Sequence, residues 1–119
     1  MRILLVCTEG QNRSKYLAGY LKEKGYEVDY GGVRQDGMNP LKQEQIDRAD
    51  MIIAVREHIK DKLLERYDCA GKKVVHLEVK DNPARYTEEA RALAESEWNA
   101  FQEKYVYTEL RKQVDKILR

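Results

Sequence analysis

A cysteine and an arginine six residues apart have the types and spacing best suited to chemistry in this chain. Cys7 ends an apolar run, and Arg13 is followed directly by Ser14. The residues between them are small or polar: Thr8, Glu9, Gly10, Gln11 and Asn12. The backbone N–H groups of such a run can curl around an anion, and a guanidinium matches two phosphoryl oxygens at once. We therefore predict a phosphate-binding loop, 7–14, in which Thr8 to Arg13 hold the phosphoryl group.

The same loop would activate Cys7 as a nucleophile. Loop amides and the positive end of a following helix stabilise a thiolate, which is the reactive form of cysteine. A cysteine at the end of an apolar strand can also be a buried structural residue. Arg13 and Ser14 in register with Cys7 favour the catalytic interpretation, so we expect phosphoryl transfer through a phosphocysteine.

The elements predicted around the motif place it at the carboxyl end of a strand. Apart from Arg2, residues 2–6 are apolar and of β-branched or other aliphatic types, and apolar residues recur at helical spacing from Tyr16 to Leu21. Further strands are predicted at 27–30, 51–55 and 74–79, with helices at 39–48 and 57–67. In the first of these helices, Asn39 and Pro40 have the types expected at an N-cap and a first turn.

Alternating strands and helices predict an α/β fold: a three-layer α/β/α sandwich with a four-stranded parallel sheet. In such sheets ligands bind at the carboxyl ends of the strands, where Cys7 is expected. Residues 87–119 contain no Gly or Pro and show a helical apolar period. This tail is predicted to be one long helix, or two joined near 106–108.

Composition limits the classes of protein to which the chain can belong. Its 119 residues suit one domain, which we predict over 1–119. The net charge of +1 without blocks of like charge argues against nucleic acid as a partner, and the apolar runs are too short to span a membrane. Two cysteines and no secretory pattern lead us to expect reduced thiols in a cytoplasmic protein.

Three segments resemble the low-molecular-weight protein tyrosine phosphatase family. The segment 6–14 is similar to the family's strand, Cys-x5-Arg-Ser and helix. The segment 49–55, followed by His58 and Leu63, looks like its Ala-Asp-apolar strand and trailing helix. Asp81-Asn82-Pro83 is similar to the loop that carries the family's general acid, with an asparagine inserted. The resemblance covers roughly residues 1–83.

This resemblance implies a flavodoxin-like, low-molecular-weight phosphatase-like fold and a phosphatase activity. The implied substrates are phosphotyrosine or small aryl phosphates, carried by a phosphorylated protein or a small molecule. Ser14 is implied to donate to the Cys7 thiolate, and Asp81 to protonate the leaving oxygen. No metal or organic cofactor is implied.

Departures from the family's loop leave other functions open. Glu9 to Asn12 stand where the family usually has Gly-Asn-x-Cys, and Lys15 stands where proline is common. One alternative is a phosphoryl carrier like the sugar phosphotransferase IIB proteins, which lack the arginine. Another is an arsenate reductase, which would need thiols beyond Cys69. A third is an inactive phosphopeptide-binding adaptor.

Overall fold

Four parallel strands form a single sheet. The computed structural model describes residues 1–8, 12–37, 39–69, 71–78 and 86–118. The strands are β1 (Arg2–Cys7), β2 (Glu27–Gly32), β3 (Met51–Ala54) and β4 (Lys73–His76). Their order in the sheet is β2-β1-β3-β4, and every pairing is parallel. The predicted four-stranded parallel sheet is confirmed.

Three helices cover the two faces of this sheet: α1 (Asn12–Glu23), α2 (Gln43–Arg48) and α3 (Glu57–Arg66). Leu4 and Ile52 belong to a buried cluster with Ile46 of α2 and Ile59 of α3. Because side chains alternate along a strand, their neighbours in β1 and β3 face the other side. There α1, which contacts β1 and β2, buries Leu17. The result is the predicted α/β/α sandwich.

The connections leave β1 and β3 toward opposite faces of the sheet. The chain passes from β1 through α1 to β2 on one side, and from β3 through α3 to β4 on the other. Such a reversal of strand order opens a crevice outside the carboxyl ends of the strands on either side of it. Cys7, the last residue of β1, lies at this point.

Helix α2 begins later than predicted, and the prediction of an N-cap at Asn39 and Pro40 is wrong. The Gly32 N–H donates to the Asn39 carbonyl at 2.9 Å, and the Leu41 N–H donates to the Gly32 carbonyl at 2.8 Å. These bonds hold the Asn39 to Leu41 backbone alongside the end of β2, where Pro40 forms a parallel bridge with Gly32. The helix therefore starts only at Gln43.

The chain divides into two compact units, Met1–Glu78 and Val79–Arg119. In the second, α4 (Glu88–Ser96) is capped by the Thr87 hydroxyl, which accepts from the Ala90 N–H at 3.2 Å. After Glu97 the chain continues as α5 (Trp98–Phe101), a short π-helix (Gln102–Val106) and α6 (Tyr107–Ile117). The predicted junction near 106–108 is wrong, because the break lies at Glu97, whose φ of −144° and ψ of 85° are not helical. The single domain stays a prediction.

None of the helices in the described part of the chain combines the length and apolar character needed to cross a bilayer.

Candidate active site

The backbone of Cys7 is fixed by both neighbouring strands. Cys7 pairs with Gly32 at the end of β2, and its carbonyl accepts from the Val33 N–H at 2.9 Å. One residue earlier, the Val6 carbonyl accepts from the Val55 N–H at 3.0 Å, just beyond β3. The Cys7 side chain is buried. The thiol is therefore held at the carboxyl edge of the sheet by rigid elements on both sides.

The side chain of Ser14, in the first turn of α1, contacts the thiol of Cys7. Its Oγ lies 3.0 Å from Cys7 Sγ, and the residue is completely buried. Either group can be the donor when both are protonated, whereas only the hydroxyl can donate once the thiol has lost its proton. The contact suits a hydroxyl that stabilises a thiolate, although this role remains a prediction.

Arg13 stands beside Ser14 in the same first turn. The residue is partly buried, and its Nη1 atom is inaccessible to solvent. A charged guanidinium nitrogen at such a depth favours an anionic ligand over a neutral one. The structure thus brings three predicted residues, Cys7, Arg13 and Ser14, to one end of β1 and the start of α1.

Of the remaining predicted site residues, the structure describes only Thr8 and Asn12. Thr8 is exposed and directly follows β1, and Asn12 opens α1. Glu9, Gly10, Gln11 and Asp81 lie outside the described residues. Their roles as loop amides and general acid remain predictions.

A segment that the sequence analysis did not single out borders the loop. The Arg34 N–H donates to the Thr8 carbonyl at 2.9 Å, which extends the β1–β2 pairing into the start of the loop. The Arg34 guanidinium donates to Asp36 at 2.9 Å and holds the pKa of that carboxyl below its usual range, through the hydrogen bond first and its charge second. The signal available in the sequence was a basic residue two positions after a strand.

Residues at the C-terminal end of α3 form hydrogen bonds to the segment that follows β2. Arg66 Nη1 donates to the Val33 carbonyl at 3.1 Å, and the Tyr67 hydroxyl donates to the Leu41 carbonyl at 3.0 Å. The Tyr67 hydroxyl also accepts from the Gln35 amide. Burial raises the pKa of Tyr67, with the Arg66 charge acting in the opposite direction. These contacts fix the chain that follows β2 against the site.

Basic residues concentrate at this part of the carboxyl edge. Arg13, Arg34 and Arg56 each follow the end of a different strand, namely β1, β2 and β3. The carboxyl ends of parallel strands share one edge, so these three cations lie along it, where Arg34 is paired with Asp36. The described part of the chain also holds one group of three potential metal ligands, Glu57, His76 and Glu78, toward the β4 side.

A surface cavity of about 280 Å³ lies at the opposite edge of the sheet. It is lined by the starts of β1 and β2 and by the last turn of α2. Its charged groups already have partners, since Arg2 pairs with Glu27 at 2.9 Å and the Gln45 amide donates to Asp29 at 2.9 Å. It takes no part in the site at Cys7.

No protein-family model and no curated protein matches this sequence. Two solved structures are similar to it along nearly the whole chain. The YwlE arginine phosphatase from Geobacillus stearothermophilus gives a TM-score of 0.58 at 21% identity, covering 98% of this chain and 92% of that one. A low molecular weight protein tyrosine phosphatase from Bacillus subtilis gives 0.53 at 16% identity, covering 100% of both. The fold predicted from the resemblance is confirmed.

Proposed function

We propose that this chain is a phosphatase that hydrolyses phosphate monoesters through a phosphocysteine on Cys7. The observation that carries the proposal is the 3.0 Å contact between Cys7 Sγ and Ser14 Oγ, with Arg13 in the same helical turn. A nucleophile, a donor for its charged form and a bidentate phosphate ligand thereby meet at a topological switch point. Similarity in fold to two phosphatases supports this choice of chemistry.

In the first step the Cys7 thiolate attacks phosphorus in line with the leaving oxygen. The S–P bond forms as the ester P–O bond breaks, and the proton for the departing oxygen comes from Asp81. Arg13 binds two equatorial oxygens and follows them as charge moves onto them in the transition state. The products are the free alcohol or phenol and a phosphocysteine.

In the second step water attacks the phosphocysteine. Asp81, now a carboxylate, accepts a proton from the water as the P–O bond forms and the S–P bond breaks. The electron pair returns to sulfur, so Cys7 leaves as a thiolate that the Ser14 hydroxyl stabilises. Inorganic phosphate is released, and Asp81 is again protonated for the next turnover.

Phosphotyrosine or a small aryl phosphate is the proposed substrate, on a protein or as a small molecule. The similarity to an arginine phosphatase makes phosphoarginine the second substrate to assay. We also propose a cytoplasmic setting, because Cys7 and Cys69 are thiols rather than a disulfide.

The alternatives differ from a phosphatase in measurable ways. A phosphoryl carrier would form the phosphocysteine once and release no phosphate to water. A binding adaptor would retain a phosphopeptide without forming the covalent bond. An arsenate reductase would require a second reactive thiol, whereas burial raises the pKa of the Cys69 thiol, with the Asp68 carboxylate adding to the effect.

The decisive experiment is turnover of p-nitrophenyl phosphate by the wild type, Cys7→Ser and Cys69→Ser. We expect wild type and Cys69→Ser to release phosphate over many turnovers, and Cys7→Ser to lose activity to background. Rapid denaturation during wild-type turnover should trap a phosphoryl group on Cys7 in part of the chains. A single burst without turnover would favour the carrier, and equal activity in Cys7→Ser would reject Cys7 as the nucleophile.

The role proposed for Asp81 predicts a dependence on the leaving group. Positioned general acids contribute about 10²- to 10⁴-fold, most of it for poor leaving groups. Asp81→Asn should therefore lower kcat/KM for phosphotyrosine far more than for p-nitrophenyl phosphate. Asp61→Asn, an exposed change within α3, is the matched control and should leave both values unchanged. Equal losses for the two substrates would assign the acid to another residue, such as Asp68 or Glu78.

A further inference from the structure

Three potential metal ligands converge beside the carboxyl end of β4, on residues that the proposed phosphatase mechanism does not use. Glu57, His76 and Glu78 each offer one ligand atom, and these atoms lie within 4.8 Å of one another. We propose that they form a binding site for a divalent transition metal of the Zn²⁺ or Co²⁺ class. The site would revise the sequence-based expectation that no metal is bound.

The end of β4 supplies two of the ligands on one side of the chain. Leu77, between them, is buried at 1% exposure, and its N–H donates to the Ala54 carbonyl at 2.8 Å. This bond continues the β3–β4 pairing by one residue. Because alternate residues of an extended chain share a side, His76 and Glu78 both project away from Leu77.

The third ligand comes from the start of α3. Glu57 is the first residue of that helix, and the Ile59 and Lys60 N–H groups both donate to the Arg56 carbonyl at 3.2 Å. This turn fixes the Glu57 backbone, and α3 packs against both β3 and β4. Glu57 and His76 therefore belong to regular structure, and Glu78 follows the end of β4 by two residues.

The geometry and chemistry of the three groups suit a transition metal. Zinc binds imidazole nitrogen and carboxylate oxygen at about 2.0–2.2 Å, so two ligand atoms on one tetrahedral ion lie about 3.4 Å apart. His76 Nε2 and Glu78 Oε1 are 2.8 Å apart, and a bound metal would replace the hydrogen bond between them. An imidazole ligand favours zinc or cobalt over magnesium and calcium, which prefer oxygen ligands alone.

The charge of the site also favours a cation. Two carboxylates carry more charge than the positive end of α3, which is equivalent to roughly half an elementary charge, together with the cationic Arg56 that precedes Glu57. The side chains of His76 and Glu78 are 29% and 65% exposed, so a metal can reach them from solvent. Three protein ligands leave at least one coordination position for water.

The test is a titration of the metal-free full chain with ZnCl₂ by calorimetry and with CoCl₂ by visible absorption. We expect one equivalent of each metal to bind, with the cobalt bands of a site of low coordination number. His76→Gln and Glu57→Gln should each weaken binding by at least about tenfold, the smallest loss typical even of groups that only support a ligand. His58 is the chain's other histidine and is exposed on α3, the helix that begins with Glu57. The His58→Gln variant should bind the metal as tightly as wild type does.

Zinc also binds thiolates, so Cys7→Ser must retain the bound equivalent. Loss of binding in Cys7→Ser would place the metal on the thiol and overturn the proposal. Unchanged affinity in both His76→Gln and Glu57→Gln, an absence of binding by wild type, or equal competition by MgCl₂ would also overturn it. Circular dichroism of each variant checks that the fold is retained, and Glu57, exposed at a helix start, provides the variant least able to disturb it.

Discussion

Ser14 links the local sequence to the chemistry more directly than any other described residue. A buried hydroxyl is costly unless it forms hydrogen bonds, yet this one lies at 0% exposure against the sulfur of Cys7. In the proposed mechanism its donor stabilises the thiolate that leaves when the phosphocysteine is hydrolysed. The contribution should therefore be largest in the second step.

Ser14→Ala should slow phosphocysteine hydrolysis more than its formation. A hydrogen bond to a charged group is worth about 1.5–3 kcal/mol, which corresponds to a fall in kcat of roughly 10- to 150-fold. Rapid-quench measurement with p-nitrophenyl phosphate should show the burst retained and the phosphoenzyme accumulating. Ser96→Ala, which removes an exposed hydroxyl that donates to the Ala92 carbonyl at 3.1 Å, is the control. Equal slowing of burst and steady state would assign Ser14 to folding or binding instead.

The sequence predicted the nearness of Cys7, Arg13 and Ser14 because strand, loop and helix follow one another directly. A local motif of this kind needs no long-range information. The contact of Arg34 with Thr8 depends on how β2 pairs with β1, which spacing along the chain does not encode.

At the scale of elements, the periodic segments were predictable and their ends were not. The apolar run of β3 and the alternation of strands with helices identify the sheet. The start of α2 was missed because hydrogen bonds with Gly32, one accepted by the Asn39 carbonyl and one donated by the Leu41 N–H, compete with helix formation there. The helix break at Glu97 has no Gly or Pro near it, so the residue types there do not predict a break.

Substitution by alanine should change the free energy of unfolding in opposite directions at two glycines, Gly31 in β2 and Gly19 in α1. A Cβ at Gly31, which pairs with Val6 next to the site, would lie 2.9 Å from Leu41 Cδ1 and 3.2 Å from Leu41 Cα. Gly31→Ala should therefore lower the free energy of unfolding by about 1–3 kcal/mol. Gly19, inside α1, has nothing within 4 Å of the added carbon, so Gly19→Ala should raise it by about 0.5–1 kcal/mol. Urea unfolding measures both, and a stable Gly31→Ala would mean that the Asn39 to Leu41 segment is not packed on β2.

At the scale of the whole molecule, a near-neutral chain carries an uneven charge at one edge of its sheet. The net charge is +1, yet Arg13, Arg34 and Arg56 follow three different strands at the carboxyl edge. Glu57 and Glu78 lie toward β4 at the same edge. The parallel topology creates this division, because it places all four strand ends together. Composition alone excluded a strongly basic protein but could not locate these charged side chains in the fold.

If residues 1–119 form the predicted single domain, the two compact units should unfold together. A unit of about 40 residues is near the size below which domains need disulfides, metals or association to fold. We therefore expect the units to unfold in one cooperative transition. Two probes report on them separately: Trp98, the chain's one tryptophan, belongs to the second unit, and the buried thiol of Cys69 belongs to the first. Urea titration of the Cys7→Ser variant should give the same midpoint by tryptophan fluorescence and by thiol labelling. Midpoints that differ by more than their error would show two domains of independent stability, and the order of unfolding would identify the weaker one.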